Sequence, residues 1–170
     1  MLNIPNKIFI CGFMGAGKTV VSKGLADKLD FKYFDLDEII ESKTSSTILS
    51  IFETLGEKSF RKIESETLEE FIKKNERFIL ALGGGTLNKS ENLKLVKENG
   101  ELIFLGNSFE ELWKRIENSN RPLVKMGKEF SLNLFLQRQK SYENSSIKIN
   151  CFQKSIFEIS NEIFHNLTTK

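Results

Sequence analysis

Residues 12–19, with the sequence GFMGAGKT, constrain the fold of this chain more than any other segment. They match the phosphate-binding pattern G-x-x-x-x-G-K-[ST] at every fixed position. Gly12, Gly15 and Gly17 lack a Cβ atom, so the backbone can turn sharply and approach an anion closely. An apolar run typical of a buried strand precedes the segment, and apolar residues at helical spacing follow it. In this strand–loop–helix order, backbone N–H groups and a helix N-terminus bind phosphate groups.

Two side chains of this phosphate loop suit a nucleoside triphosphate. Lys18 supplies positive charge for the β- and γ-phosphates, and Thr19 supplies a hydroxyl for Mg²⁺, which prefers oxygen ligands. The alternative is an ordinary glycine-rich turn with an accidental lysine, against which the flanking strand and helix weigh. The loop therefore predicts a bound nucleotide and says little about a second substrate.

Strand-like and helical patterns alternate along the rest of the chain. We predict strands at residues 7–11, 32–35, 78–82, 101–105 and 146–150. We predict helices at about 18–29, 36–42, 48–74, 90–99, 108–118, 131–142 and 153–167. Such alternation is typical of an α/β protein whose parallel sheet is covered by helices on both faces. A length of 170 residues suits one compact domain spanning 1–170.

Composition argues against several classes of function. The 25 basic and 23 acidic residues give a net charge of +2, which does not indicate binding to nucleic acid or to a membrane surface. No apolar run approaches the ~18 residues of a membrane span, and residues 1–7 do not resemble a secretion signal. Cys11 and Cys151 are expected to be buried thiols of a cytoplasmic protein, with a disulfide or metal site as the alternative. The only histidine, His165, is expected to be a surface or packing residue, which argues against a histidine-based metal centre.

Two carboxylates, Asp35 and Asp37, follow the second predicted strand. Because ligands of such sheets bind beyond the carboxyl ends of the strands, both should lie near the phosphate loop. One could organise Mg²⁺ or its waters, and the other could accept a hydrogen bond or a proton from a substrate hydroxyl. Alternatively, one of them merely caps the next helix.

Three further patterns carry side chains or backbone suited to binding an anion. Arg61 and Glu64 share a helix face, either as a solvated ion pair or as a guanidinium held to grip a carboxylate. Gly83, Gly84 and Gly85 follow the third strand, where their N–H groups could hold a substrate, although a tight turn capped by Thr86 or Ser90 is the simpler alternative. Residues 118–130 form a basic, irregular stretch that reads equally well as a mobile lid or a solvated connector.

Taken together, these motifs resemble the shikimate kinase family over nearly the whole chain. Besides the phosphate loop, the resemblance rests on F-D-x-D at residues 34–37, F-R-x-x-E at 60–64, the triple glycine, R-P-L at 121–123 and R-x-x-x-Y at 138–142. It implies a three-layer α/β sandwich with a five-stranded parallel sheet, of the phosphate-loop NTPase type and like nucleoside monophosphate kinases. It also implies transfer of the γ-phosphoryl group of ATP to the 3-hydroxyl of shikimate in aromatic amino acid biosynthesis, by a Mg²⁺-dependent cytoplasmic monomer.

The resemblance also implies roles for individual residues. The implied ATP-binding residues are Gly12, Gly15, Ala16, Gly17, Lys18, Thr19, Val20, Arg115 and Arg121. The implied shikimate-binding residues are Asp37, Arg61, Gly83, Gly84, Gly85 and Arg138, within a substrate-binding helical region at about 36–64 and beyond it. Lys18, Asp37 and Arg121 are the implied catalytic residues, with Asp37 as the candidate base and Arg121 closing from the lid. Thr19 and Asp35 are the implied metal-site residues, Asp35 through water.

Two other functions are compatible with part of these motifs. One is a different small-molecule kinase of the same fold, of the gluconate or nucleoside monophosphate type, against which the pair Arg61 and Arg138 argues. The other is a non-catalytic nucleotide-binding module, against which Asp35, Asp37 and Arg121 argue.

Overall fold

The structure is a computed structural model that describes residues 4–119 and 121–169. The predicted domain and the predicted lid therefore each include positions outside the described residues, namely residues 1–3 and 170 for the domain and residue 120 for the lid. The strands are β1 (Lys7–Cys11), β2 (Lys32–Asp35), β3 (Phe78–Ala81), β4 (Glu101–Gly106) and β5 (Ile147–Asn150). The helices are α1 (Lys18–Leu29), α2 (Leu36–Thr44), α3 (Ile48–Lys74), α4 (Ser90–Asn99), α5 (Phe109–Ile116), α6 (Pro122–Lys125), α7 (Lys128–Tyr142) and α8 (Ile156–Thr168), with a 3-10 turn at Thr86–Asn88.

The strands form one parallel sheet in the order β2-β3-β1-β4-β5. Right-handed crossovers place α1 on one face, where it packs against α8, and α3, α4 and α7 on the other face. The predicted fold, a five-stranded parallel sheet between two helical layers, is therefore confirmed. Because all strands run the same way, Cys11, Asp35, Ala81 and Gly106 end at one edge of the sheet.

The core lies along the central strands, as burial on both faces of a parallel sheet requires. Ile8, Phe9 and Ile10 of β1 and all four residues of β3 are fully inaccessible to solvent. The Phe71 ring of α3 lies 4.9 Å from the Phe78 ring of β3, which fixes the long helix against the sheet. This rigid sheet positions the loops at its carboxyl edge.

Several predicted helix ends are wrong by a few residues, and the reason is often a cap. Ser108 and Ser155 accept hydrogen bonds from the backbone of Glu111 and Glu158, so α5 and α8 begin one residue after each serine rather than at 108 and 153. The α8 start is a full capping box. In the predicted lid, Pro122 occupies the first position of the short helix α6, and α7 begins at Lys128 rather than at 131.

Helix α3 has the predicted bounds but is not continuous. Gly56 interrupts it with φ 74° and ψ 168°, a conformation that is essentially restricted to glycine. The segment before Gly56 and the segment after it therefore leave that point in different directions. Both segments supply residues to the cavity described next.

No helix within residues 4–119 and 121–169 combines the length and the apolar character needed to cross a membrane. Cys11 and Cys151 are both buried and free, so the predicted pair of buried thiols is confirmed.

Candidate active site

A cavity of about 670 Å³ opens at the carboxyl edge of the sheet. Most residues singled out by sequence line it, although they come from six different parts of the chain. They are Gly15, Gly17, Lys18, Thr19, Val20, Asp35, Asp37, Arg61, Gly83, Gly84, Gly85, Arg121 and Arg138. The fold thus joins the phosphate loop and the acidic, glycine-rich and arginine motifs in one site.

The phosphate loop has the backbone conformation that its glycines permit. Gly15 and Gly17 have φ of 82° and 85°, and a Cβ atom on Gly15 would lie only 2.8 Å from Ile116 Cγ2. Lys18 Nζ donates hydrogen bonds to the carbonyl oxygens of Gly12 and Phe13 at 2.9 and 3.2 Å. Burial lowers the pKa of Lys18 to about 8, while the carboxylates of Asp37 and Asp35 oppose that shift. The protein carboxylates therefore balance the positive charge of Lys18 only in part. An anion bound in the loop would contact this charge.

Gly12, Ala16 and Arg115 do not line the cavity. Gly12 and Ala16 are buried in the loop itself, and a Cβ on Gly12 would lie 3.0 Å from the Leu105 carbonyl oxygen. Arg115 is exposed on α5 and donates a hydrogen bond to the carbonyl oxygen of Gly15 at 3.3 Å. It therefore lies on the outer side of the loop, next to the phosphate site but not in it.

Asp35 combines the two functions that its sequence position suggested. It caps α2 by accepting a hydrogen bond from Asp37 N at 3.0 Å, and it lines the cavity. Its Oδ2 also accepts a hydrogen bond from the Tyr33 hydroxyl at 3.3 Å. Burial raises the pKa of Tyr33 to about 12, an effect that Asp35 reinforces. Tyr33 thus hydrogen bonds to one candidate metal-site residue, Asp35, and the other, Thr19, lies near enough to lower its pKa.

The donor set at this position fits Mg²⁺. Thr19 and Asp35 both offer oxygen atoms, which are the ligands of this hard cation. No group of three or more His, Cys, Asp or Glu side chains that could hold a metal ion occurs in the part of the chain that the structure describes. A cation here would accordingly take further ligands from water and from phosphate oxygens, as Mg²⁺ in nucleotide sites does.

Asp37 lies in an electrostatic environment that makes it more basic than an ordinary carboxylate. Burial, followed by the negative charges of Asp35 and Glu64, raises its pKa to about 6, against the opposing effect of Lys18 and Arg61. A Cβ on Gly83 would lie 3.0 Å from Asp37 Oδ1, so this carboxylate faces the glycine turn. Asp37 can therefore accept a proton or a hydrogen bond from a hydroxyl that is bound there.

Arg61 and Glu64 are not a solvated surface pair. Glu64 is only 1% exposed, and its carboxylate accepts hydrogen bonds from Arg61 Nη1 at 2.8 Å and from Thr86 Oγ1 at 2.7 Å. Exposed Glu57 makes a longer contact of 3.5 Å with Arg61 Nε. The glycine turn packs closely against this guanidinium, since a Cβ on Gly85 would lie 2.5 Å from Arg61 Nη2. The functional interpretation of this motif is therefore favoured over the solvated one.

Arg138 is a buried guanidinium without an acidic partner. Its side chain is 6% exposed, and no carboxylate of the described residues lies within ion-pair distance of it. Its buried Nε has no hydrogen-bond partner among the described residues, and burial lowers its pKa. Its nearest polar neighbours are Tyr142 and the glycine turn, where a Cβ on Gly84 would lie 2.8 Å from Arg138 Nη1. An unpaired buried charge is costly, so this residue is suited to an anionic ligand.

The loop before α7 places Arg121 at the cavity mouth. Arg121 is exposed and precedes Pro122 at the start of α6, and Leu123 beside it also lines the cavity. Lys128 at the start of α7 pairs with Glu110 of α5 at 2.8 Å. Arg121 is therefore carried by a short segment that borders the cavity.

Sequence reasoning missed several cavity residues. Glu38 and Glu41 of α2 and Ile48 and Phe52 of α3 line the cavity, but their spacing is that of ordinary amphipathic helices. Thr86 was considered only as a cap, whereas its hydroxyl bonds to Glu64. Only the four-residue spacing of Ile48 and Phe52 gave a signal, and it is shared with any core-facing helix.

Comparison with known proteins gives a consistent answer. Residues 14–168 match the family model described as "Shikimate kinase". A shikimate kinase of Clostridium botulinum is 40% identical over 160 residues, covering 94% of this chain and 96% of that protein. The crystal structure of shikimate kinase from Aquifex aeolicus has 33% identity and a TM-score of 0.85, covering 95% of both chains. A shikimate kinase from Acinetobacter baumannii in complex with shikimate has 30% identity and a TM-score of 0.90, covering 98% of this chain and 94% of that one.

Proposed function

This chain belongs to the shikimate kinase family, and on that premise we propose that it transfers the γ-phosphoryl group of ATP to the 3-hydroxyl of shikimate. The products are shikimate 3-phosphate and ADP. The observation that carries the proposal is the position of the unpaired guanidinium of Arg138, with Arg61 at the same glycine turn, in one cavity with a phosphate loop. A small acid with a planar carboxylate and ring hydroxyls satisfies both arginines while its hydroxyl approaches the bound phosphates.

The phosphate loop binds the donor. Backbone N–H groups of residues 12–19 and the N-terminus of α1 surround the phosphates, and Lys18 neutralises charge on the β- and γ-phosphates. Lys18 must exchange its contacts with the Gly12 and Phe13 carbonyl oxygens for phosphate oxygens when ATP binds. Thr19 and Asp35 would hold Mg²⁺, and the cation would supply charge neutralisation and alignment of the phosphates.

Asp37 directs the acceptor hydroxyl. In the transfer, the 3-oxygen of shikimate forms a bond to the γ-phosphorus, the bond to the β–γ bridging oxygen breaks, and the hydroxyl proton passes to Asp37. A pKa of about 6 leaves Asp37 largely ionised at neutral pH yet more basic than an unperturbed carboxylate. Because phosphoryl transfer needs positioning and charge neutralisation more than a strong base, orientation of the hydroxyl is the main contribution of Asp37.

Residues 118–130 act as the lid and residues 36–64 as the substrate-binding region. Arg121 moves with the lid onto the transferred phosphoryl group and adds positive charge there. Ile48 and Phe52 give the substrate-binding region an apolar wall, and closure of both segments excludes water that would otherwise hydrolyse ATP. The active form in this proposal is a cytoplasmic monomer, as the resemblance to the family implies. Two free, buried cysteines agree with a reducing compartment.

A coupled assay for ADP release tests this function. With Mg-ATP, we expect turnover when shikimate is supplied and none with quinate, gluconate or nucleoside monophosphates. The Lys18→Met variant is the matched control for contaminating kinases, since it lacks the loop cation. Absence of shikimate-dependent ADP release from folded protein would overturn the proposal, and release with gluconate instead would favour the related small-molecule kinases.

A further inference from the structure

The chain contains two tyrosines, Tyr33 and Tyr142, and the proposed function uses neither. They lie far apart in sequence, on β2 and at the end of α7. Each hydroxyl nevertheless contacts two residues that have a role in the proposed site. The two pairs serve different ligands, which makes the tyrosines separable by experiment.

Tyr142 links the two elements that face the acceptor carboxylate. It is 1% exposed, and its hydroxyl donates a hydrogen bond to the Gly84 carbonyl oxygen at 2.5 Å. A Cβ on Gly84 would lie 2.8 Å from Arg138 Nη1 and 3.7 Å from the Tyr142 hydroxyl, so the guanidinium and the hydroxyl both face Gly84. The Tyr142 ring stacks on Phe104 with 5.2 Å between centroids.

Tyr33 has the equivalent arrangement at the metal-binding residues. Its hydroxyl donates to Asp35 Oδ2 at 3.3 Å, and the Thr19 side chain lies near enough to lower the pKa of Tyr33 against the effect of burial. Because the single hydrogen of Tyr33 points to Asp35, its oxygen could only accept a hydrogen bond from the Thr19 hydroxyl. The lone pairs of Thr19 Oγ1 then remain available to a cation. The Lys23 ammonium lies 5.3 Å from the centroid of the Tyr33 ring and helps to hold it.

We propose that both tyrosines are positioning residues, Tyr142 for the shikimate carboxylate and Tyr33 for Mg²⁺. In each case the tyrosine donates to a carbonyl or carboxylate oxygen, and a group that can donate to the tyrosine oxygen lies beside it. Arg138 and Gly84 are thereby held at a set separation, and so are Thr19 and Asp35. An ordinary tyrosine pKa is ~10, so both hydroxyls keep the hydrogen that the arrangement needs at neutral pH. This inference rests on the proposed function.

The test uses the same substitution at both positions. Titration calorimetry of Tyr142→Phe should show a shikimate Kd raised about tenfold, which is about 1.4 kcal/mol, with unchanged affinity for ADP in the presence of Mg²⁺. For Tyr33→Phe, ADP affinity in EDTA should be unchanged. Added Mg²⁺ should increase the ADP affinity of the wild-type protein, and in Tyr33→Phe this increase should be about tenfold smaller. The shikimate Kd of Tyr33→Phe should match that of the wild type.

A packing control separates positioning from general damage. Phe104→Leu removes the ring that stacks on Tyr142 but leaves the hydroxyl in place, so it should lower the melting temperature without raising the shikimate Kd. The inference is overturned if either tyrosine variant keeps wild-type affinity for its own ligand, if both ligands weaken together, or if Phe104→Leu weakens shikimate as much as Tyr142→Phe. Failure of the wild-type protein to bind shikimate would instead count against the proposed function, and the Mg²⁺ titration would still test Tyr33.

Discussion

Substitution of Gly84 by alanine should impair shikimate binding with little effect on the fold. The added Cβ would lie 2.8 Å from Arg138 Nη1, whereas ordinary contact begins at 3.4 Å, so the nitrogen must retreat by roughly 0.6 Å. The atom that must move is the end of a long side chain, which limits the cost in stability. A displacement approaching 1 Å in a substrate-orienting group can cost on the order of 100-fold in rate. We therefore expect the kcat/KM for shikimate to fall by about 10- to 100-fold and the KM for ATP to remain unchanged.

Gly24→Ala is the matched control for this experiment. Gly24 lies inside α1, and a Cβ there would meet Ser160 Oγ at 3.4 Å and Ile156 Cγ2 at 3.9 Å, both ordinary contacts. Alanine is favoured over glycine in a helix by about 0.8–1.0 kcal/mol, so this variant should be somewhat more stable and equally active. Initial rates at varied shikimate and ATP, together with thermal unfolding, distinguish the two. The reasoning fails if Gly84→Ala keeps wild-type kcat/KM, or if Gly24→Ala loses as much.

Three further predictions concern charged side chains of the site. Arg61→Ala should raise the shikimate Kd, measured by calorimetry, by about 100-fold or more and leave the ATP Kd unchanged. The control variant Lys62→Ala, at an exposed position, should change neither Kd. Equal losses of affinity for both ligands in Arg61→Ala would contradict the assigned role. Lys18→Met should abolish ADP formation while its circular dichroism spectrum remains native. Turnover by this variant at the wild-type rate would exclude the phosphate-loop mechanism. The raised pKa of Asp37 means that the folded state binds this proton more tightly than the unfolded state, so ionised Asp37 opposes folding above pH 6. Asp37→Asn should therefore raise the free energy of unfolding at pH 8 by on the order of 1–3 kcal/mol and have little effect on it at pH 3. The same variant should lose activity. Equal stabilisation at both pH values would show that ionisation of Asp37 is not the cause.

The strands and helices that depend on short-range sequence patterns could be predicted from the sequence. The buried strands are continuous apolar runs, and α1 begins at Lys18 directly after the phosphate loop, so their positions follow from periodicity and from one motif. The Gly56 interruption could not be predicted in the same way. A single glycine is tolerated in many helices, and its φ of 74° depends on where α2 and the sheet hold the two halves of α3.

In the candidate site, too, local spacing could be predicted from the sequence and long-range contacts could not. Sequence spacing placed Arg61 and Glu64 on one helix face, but it could not distinguish a solvated pair from one whose carboxylate is 1% exposed. That difference depends on Thr86, which is 22 residues away in the chain. Likewise, the contact between Tyr142 and Gly84 spans 58 residues and exists only because α7 crosses the carboxyl edge of the sheet. Long-range burial and hydrogen bonding are properties of the assembled fold, so only a resemblance between whole motif sets could anticipate them.

The charges of the site explain why two substrates complete it. Arg138 is buried without an acidic partner, and Asp37 lies close enough to Asp35 and Glu64 that its pKa is raised. Each arrangement opposes folding, because a buried charge loses hydration and the opposite charges of the protein compensate it only in part. In the proposed function, the acceptor carboxylate would supply negative charge at Arg138, and Mg²⁺ would supply positive charge beside the two aspartates. The partly compensated charges of Arg138 and Asp37 therefore make the free protein less stable and favour binding of ligands of opposite charge.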